Sequence, residues 1–271
     1  MEGSILNKLR KGDVVGRISY GKDIFFIIDR IIFLRNNKLA ILKGLTVRIK
    51  ADSPLEDLEL IDSKIVKEYM NNVERKITSI INECKRNTRR KYNFGTILHL
   101  DGDSRYTQKS MRYYRNLGIN AVVKHISESR QPRVIWNLLD RYNPDILVIT
   151  GHDGMIKSGT GYNDMYNYRN SNYFVNSVIQ ARRWEKNPGN LSIFAGACQS
   201  YYEALIQAGA NFASSPARIL IDFIDPLIVA ENIAYTDNTK YITIRDFEKE
   251  LRDGQKGISG IGSKGKRKWA T

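Results

Sequence analysis

The sequence predicts an α/β fold: a mostly parallel sheet flanked by helices, behind a small N-terminal β-barrel. Three observations carry this. From Tyr92 onward, strand-like and helix-like segments alternate, as βαβ units with right-handed crossovers require. Two runs, ILVIT at 146–150 and LSIFAGA at 191–197, are uniformly apolar, as strands buried on both faces are. Residues 1–62 instead hold short Val-, Ile- and Phe-rich segments with no helical period.

In the first 62 residues the expected strands are Asp13–Ser19, Lys22–Leu34, Lys38–Leu42 and Leu45–Ala51, with turns at Gly12, Gly21, Asn36-Asn37 and Gly44. Close spacing of short strands suits a barrel or meander. Residues 63–91 read as one basic linker helix. Ser63 can cap it, and Ile65, Val66, Tyr69, Met70, Val73, Ile77 and Ile80 recur at helical spacing. The third unit is 92–271. Its expected strands are Phe94–Leu100, Asn120–His125, Ile146–Thr150, Leu191–Ala197 and Asn211–Ser214. Its expected helices are Thr107–Leu117, Pro132–Tyr142, Ser171–Trp184, Ser200–Ala208 and Arg218–Ala234, the last broken at Pro226. A basic C-terminal tail closes the chain.

Composition narrows the function. There are 271 residues, 42 % hydrophobic and 27 % charged, which suits one moderate domain with an appendage. No apolar run is long enough to span a membrane, and MEGSILNKLRKGD carries no secretory apolar core, so no leader is expected. Two cysteines, Cys84 and Cys198, make neither a disulfide framework nor a cysteine-paired zinc site. With three histidines besides, no metal and no cofactor are expected, and the compartment is read as cytosolic and reducing. The net charge of +14 favours contact with something acidic.

In open parallel sheets the ligand site lies beyond the carboxyl ends of the strands. There ILVIT runs into Gly151-His152-Asp153-Gly154, and LSIFAGA runs into Cys198-Gln199-Ser200. A thiol becomes a strong nucleophile as thiolate, and a nearby imidazole or helix N-terminus favours that form. The small residues around both groups let a peptide approach and leave backbone N–H groups for an oxyanion. Either residue alone is more commonly structural; the pair at two strand ends is a site. His99 and His125 also end strands but lack this glycine setting, and Cys84, set among charges, reads as an ordinary thiol.

An apolar strand ending in His-Gly, then one ending in Ala-Cys, is the pattern of the caspase-like cysteine peptidases of clan CD. This chain has ITGHDG and, 46 residues after the histidine, FAGACQS. Together with KGDVVGRISYGKDIFF, KGLTVRIKADSPLEDLE and HLDGD, these segments resemble the YabG family, sporulation peptidases of spore-forming Firmicutes, over nearly the full length. Asp153 stands between the histidine and Gly154, so the oxyanion donor can be the N–H of Asp153 or of Gly154. The resemblance implies a caspase-like sheet behind an SH3-like barrel, and a cysteine endopeptidase with Cys198 as nucleophile and His152 as proton donor. It implies protein substrates among spore-coat and cortex-assembly proteins, cleavage after arginine, self-cleavage, and a mother-cell cytoplasmic location at the forming coat.

An arginine pocket needs a carboxylate held to meet the guanidinium fork. Asp101 and Asp103 rank first as substrate-binding residues, ahead of Asp153, Asp222 and Asp225. Arg86, Arg89 and Arg90, or Arg182 and Arg183, are candidate points of self-cleavage. The alternative is a non-catalytic basic module that scaffolds coat proteins or binds nucleic acid, with Tyr113-Tyr114, Tyr162, Tyr166 and Tyr168 as a stacking surface beside arginines. Gly260–Arg267 misses a phosphate-binding loop, because Arg267 stands where Ser or Thr is needed, and reads as a flexible basic tail.

Overall fold

A computed structural model describes residues 9–34, 37–86, 92–156 and 161–269; the side chains at 80 and 83–86 lie outside the description. An antiparallel sheet is formed by β1 (Val14–Arg17), β2 (Phe25–Phe33), β3 (Lys38–Gly44), β4 (Lys50–Pro54) and β5 (Leu58–Leu60), in the order β4-β3-β2-β1-β5. The strand expected at Leu45–Ala51 is displaced. The β3–β4 register pairs Lys43 with Lys50, so residues 45–49 are the loop of that hairpin. Helix α1 (Ser63–Arg86) then leads to the short β6 (Tyr92–Asn93).

The rest of the chain alternates strand and helix: β7 (Ile97–Asp101), α2 (Ser104–Asn116), β8 (Ala121–His125), α3 (Gln131–Tyr142), β9 (Ile146–Thr150), α4 (Ser171–Trp184), β10 (Ser192–Ala195), α5 (Tyr202–Gln207), β11 (Phe212–Ser214) and α6 (Asp225–Tyr235). Strands β8, β7, β9, β10 and β11 pair in parallel in that order. Successive residues of β9 enter two different cores: Ile146 and Val148 lie in one, Leu147 and Ile149 in the other. That double burial is why the strand has no polar alternation.

Two expectations fail. Helix α6 begins at Asp225, not Arg218, because Pro226 sits in its first turn, where a missing N–H costs nothing. The C-terminal segment is ordered rather than flexible. Beyond β12 (Tyr241–Ile242) and the single turn α7 (Gly254–Gly257), β13 (Ile258–Gly260) pairs antiparallel with β11 and covers that sheet edge. Strands β14 (Ser263–Lys264) and β15 (Lys268–Trp269) pair with β12 and β6. Lys266 is buried, and its ammonium donates to the carbonyls of Gly189 and Asn190 at 2.7 Å.

Of the tyrosines considered as a stacking surface, Tyr113 and Tyr114 are buried in the core, whereas Tyr162 and Tyr166 are exposed. Among the described residues no helix is long and apolar enough to cross a membrane.

Candidate active site

The adjacent strands β9 and β10 are in register at Ile149 and Ala195. His152 and Cys198 each lie three residues beyond that pair, so the sheet delivers both to one edge.

The histidine loop is fixed by its backbone. His152 N–H donates to Glu128 Oε1 at 2.8 Å, and its carbonyl accepts from Asn170 Nδ2 at 2.6 Å. Gly151 leaves room for that glutamate: a Cβ there would stand 2.5 Å from Oε1. The Asp153 carboxylate accepts four bonds, from the N–H groups of Gly154 and Asn170 and from the hydroxyls of Ser171 and Ser200. It therefore ties the histidine loop to the start of α4 and to the cysteine loop. Burial pushes this carboxyl up to about 6 even with those donors.

The His152 ring is fully buried and stacks on Tyr106, with centroids 5.4 Å apart. Its Nε2 lies 3.8 Å from Asp103 Oδ2, and neither ring nitrogen has a hydrogen-bond partner among the described residues. Burial pushes the imidazole down to about 3, so it is neutral in this state.

The cysteine loop turns at Gly196, whose φ of +110° and proximity to Ser214 Oγ suit only glycine. The Ala197 N–H donates to Ser200 Oγ. Cys198 is fully buried, and its sulfur accepts from the Ile221 N–H at 3.2 Å. Burial pushes the thiol up to about 12, against the N–H groups of Ile221 and Arg48 that face it. The expected thiol-lowering helix does not act: α5 starts four residues later, at Tyr202. Nor is the groove open, since a segment of the same chain lies in it.

That segment is the β3–β4 loop. Arg48 has no exposed surface. Its Nη1 meets Asp101 Oδ2 at 2.8 Å, its Nη2 donates to the Phe223 carbonyl at 3.0 Å, and its guanidinium lies 4.7 Å from the Tyr106 ring centre. The Arg48 carbonyl accepts from the N–H of Asp153 at 3.1 Å and from the N–H of Cys198 at 3.3 Å. On one side Phe223 N–H donates to the Thr46 carbonyl; on the other, Lys50 N–H donates to the Asp153 carbonyl. Val47 thus bridges to Asp222 antiparallel, and Ile49 bridges to Asp153 parallel. Gly154 permits the close approach, because a Cβ there would stand 2.4 Å from the Lys50 carbonyl oxygen.

The candidate carboxylates separate. Asp101 faces the buried guanidinium. Burial alone would raise its carboxyl, but Arg48 holds it well below the ordinary range. Asp103 caps α2 and is paired with Arg105, with His152 on its other side. Asp222 pairs with Lys76, and Asp225 accepts two backbone N–H groups. The Gly154 N–H goes to the Asp153 carboxylate, leaving the Asp153 N–H as the one that meets a carbonyl. Sequence reasoning missed Arg48, Tyr106, Glu128, Ser171 and Ser200. Arg48, a cation between Val47 and Ile49, reads in the sequence as an ordinary strand residue.

Comparison with known proteins agrees over nearly the whole chain. Residues 10–271 match the family model described as YabG peptidase U57. The sporulation-specific protease YabG of Bacillus subtilis (strain 168) is 36 % identical over 277 residues, covering 94 % of each chain. No solved structure matches.

Proposed function

Because this chain belongs to the YabG peptidase family, we propose that it is a cysteine endopeptidase of sporulation that cuts protein chains after arginine. The observation that carries this reading is the meeting at one carbonyl. Two backbone N–H groups, from Cys198 and Asp153, converge on the carbonyl of an arginine whose guanidinium is paired with buried Asp101. Donors aimed at a carbonyl oxygen next to a thiol are what acyl transfer needs, because the oxygen gains charge in the transition state.

In this reading Cys198 attacks the carbonyl of the residue before the scissile bond. The N–H groups of Cys198 and Asp153 hold the oxyanion. His152 delivers the proton to the leaving amine, and Tyr106 and Asp103 hold its ring in place. Water then releases the acyl group. Asp101 and the Phe223 carbonyl select arginine, because the guanidinium fork donates to both at once and an ammonium does not. The substrate adds to the site as an extended strand beside Asp222–Phe223 and Asp153. The caspase-like description of the sheet rests on the placement of histidine and cysteine at neighbouring strand ends, with an SH3-like N-terminal unit (1–62), a linker helix (63–91) and a catalytic unit (92–271). Spore-coat and cortex-associated proteins in the mother cell are the proposed substrates, and the chain also processes itself.

The test is cleavage of arginine-containing peptides by the purified protein. Hydrolysis after arginine, at least ~10-fold faster than after lysine, is expected from the loss of the bidentate contact. Equal cleavage after neutral residues would contradict the reading.

A further inference from the structure

The fold engages one of the candidate self-cleavage points named from sequence. Arg182 is committed inside it, donating to the carbonyls of Gly209 and Leu191 and to Asn211. Arg89 and Arg90, and the side chain of Arg86, lie outside the described residues. Arg183, at the end of α4, has no contact with the cleft among those described. Arg48 is the arginine that sits in the cleft.

We propose that the Arg48–Ile49 bond is the protein's own first substrate: the β3–β4 loop is bound as a peptide substrate would be, blocks the arginine pocket, and is cut there in cis. This deepens the peptidase reading and rests on it. The loop meets each requirement of a bound substrate separately. Its backbone is extended and paired on both sides of Arg48, through Thr46 with Phe223 and through Lys50 with Asp153. Its arginine is fully buried against a carboxylate. Its carbonyl occupies the two-donor position, with Cys198 donating from the same residue that carries the thiol. The loop is also held from behind: Gly44 N–H donates to the Ile49 carbonyl, and Leu45 N–H to the Phe25 carbonyl. A peptide presented on a hairpin needs no further ordering to react, which is the advantage of an intramolecular step.

The chemistry balances with water as the one co-reactant. The Cys198 sulfur forms a bond to the Arg48 carbonyl carbon. The bond from that carbon to the Ile49 nitrogen breaks, and the thiol proton passes by way of His152 to that nitrogen. Water then adds at the thioester, leaving a carboxylate on Arg48 and restoring the thiol. The new carboxylate forms on a buried residue, and the new ammonium forms at buried Ile49, where the nitrogen was a neutral amide. Both charges favour withdrawal of the loop into water. The cavity of about 410 Å³ beyond Ile49, lined by Lys50, Ala51, Met155, Gln199 and Leu220, gives the released end room to move.

Intact mass and N-terminal sequencing of the purified parent protein decide the matter. Two chains are expected, 1–48 and 49–271, the second beginning at Ile49. Their appearance should be first-order, with a half-time unchanged on ten-fold dilution, and absent in Cys198→Ala. Arg48→Lys should cut at this bond at least ~10-fold more slowly, since ammonium lacks the fork. A parent that hydrolyses added arginine peptides in a Cys198-dependent way, yet keeps this bond intact, overturns the inference and leaves the peptidase reading standing. Cleavage at this bond that slows on dilution overturns cutting in cis. Failure to cut both added peptides and its own chain overturns the two together.

Discussion

Asp101 carries two duties at the residue scale, and they predict different losses. In the proposed reading it binds and positions a substrate guanidinium; in the uncut chain it balances the buried charge of Arg48. Asp101→Asn should lower kcat/KM for arginine peptides by roughly 100-fold or more, since truncating one member of a buried charge pair costs about 3–5 kcal/mol. Peptide kinetics compared with Asp103→Asn would check this; equal effects of the two would refute the separation of their roles. Cys198→Ala should remove cleavage and leave the melting temperature within a few degrees, because its neighbours are already packed around a small side chain. Cys84→Ala should retain activity. That His152 and Cys198 share one edge of the sheet was legible, because each directly follows an apolar strand at a neighbouring position. Arg48 was not, because an arginine in an alternating apolar run looks the same as a strand residue whose head reaches solvent. Only the fold reveals that the run turns into the cleft.

At the scale of elements, helix α4 lies where the sequence placed it, Ser171–Trp184, since Phe174, Val178 and Ala181 recur on its buried face and Asn187-Pro188 follows its end. The C-terminal strands were illegible because two- and three-residue strands carry no period; their formation is dictated by the open edge of β11. Ile258, fully buried on β13, gives a direct check. Ile258→Ala should cost about 2–5 kcal/mol by the usual cavity penalty, read as a shift in denaturant midpoint. A shift near zero would mean the strand is dispensable. The start of α6 is predicted to be pH-sensitive. Burial, and then the charge of Asp222, push the Asp225 carboxyl up to about 7, whereas an unfolded aspartate titrates near ~3.9. The folded chain thus holds the extra proton between those values. Its contribution is complete below about pH 4 and is lost as pH rises through about 7. Cys198→Ala protein, which stays uncut, should melt several degrees lower at pH 8 than at pH 5, and Asp222→Asn should shrink that difference. A flat profile in both would exclude the coupling.

At the scale of the whole molecule, the N-terminal sheet and the parallel sheet share one continuous apolar core. Phe26, Ile28 and Leu42 belong to the same cluster as Tyr106, Val148 and Phe223. Sequence reading separated them at residue 62, because composition changes there while packing does not. The shared core predicts that the fragments 1–48 and 49–271 remain together after cutting. They should co-elute on size exclusion and separate only in denaturant, since β1 stays paired with β5 and β3 with β4. Elution of the shorter fragment alone in native buffer would contradict the single core. The α/β class itself was readable from two strands with both faces buried, because double burial leaves a mark in every residue of a short segment. The loop that fills the cleft left no such mark, since its partners are some 50 to 175 residues away in sequence.

The most direct measurement of the central claim is covalent capture of the nucleophile. The processed protein is treated with a short peptide ending in an arginine chloromethyl ketone, and the adduct is mapped by mass spectrometry. One adduct on Cys198 is predicted, with loss of activity in step with labelling. A lysine-ended reagent should label far more slowly, and free arginine-ended substrate should protect. Labelling of Cys84 in step with loss of activity, or full activity with Cys198 quantitatively modified, would contradict the assignment of Cys198 as the residue that cuts.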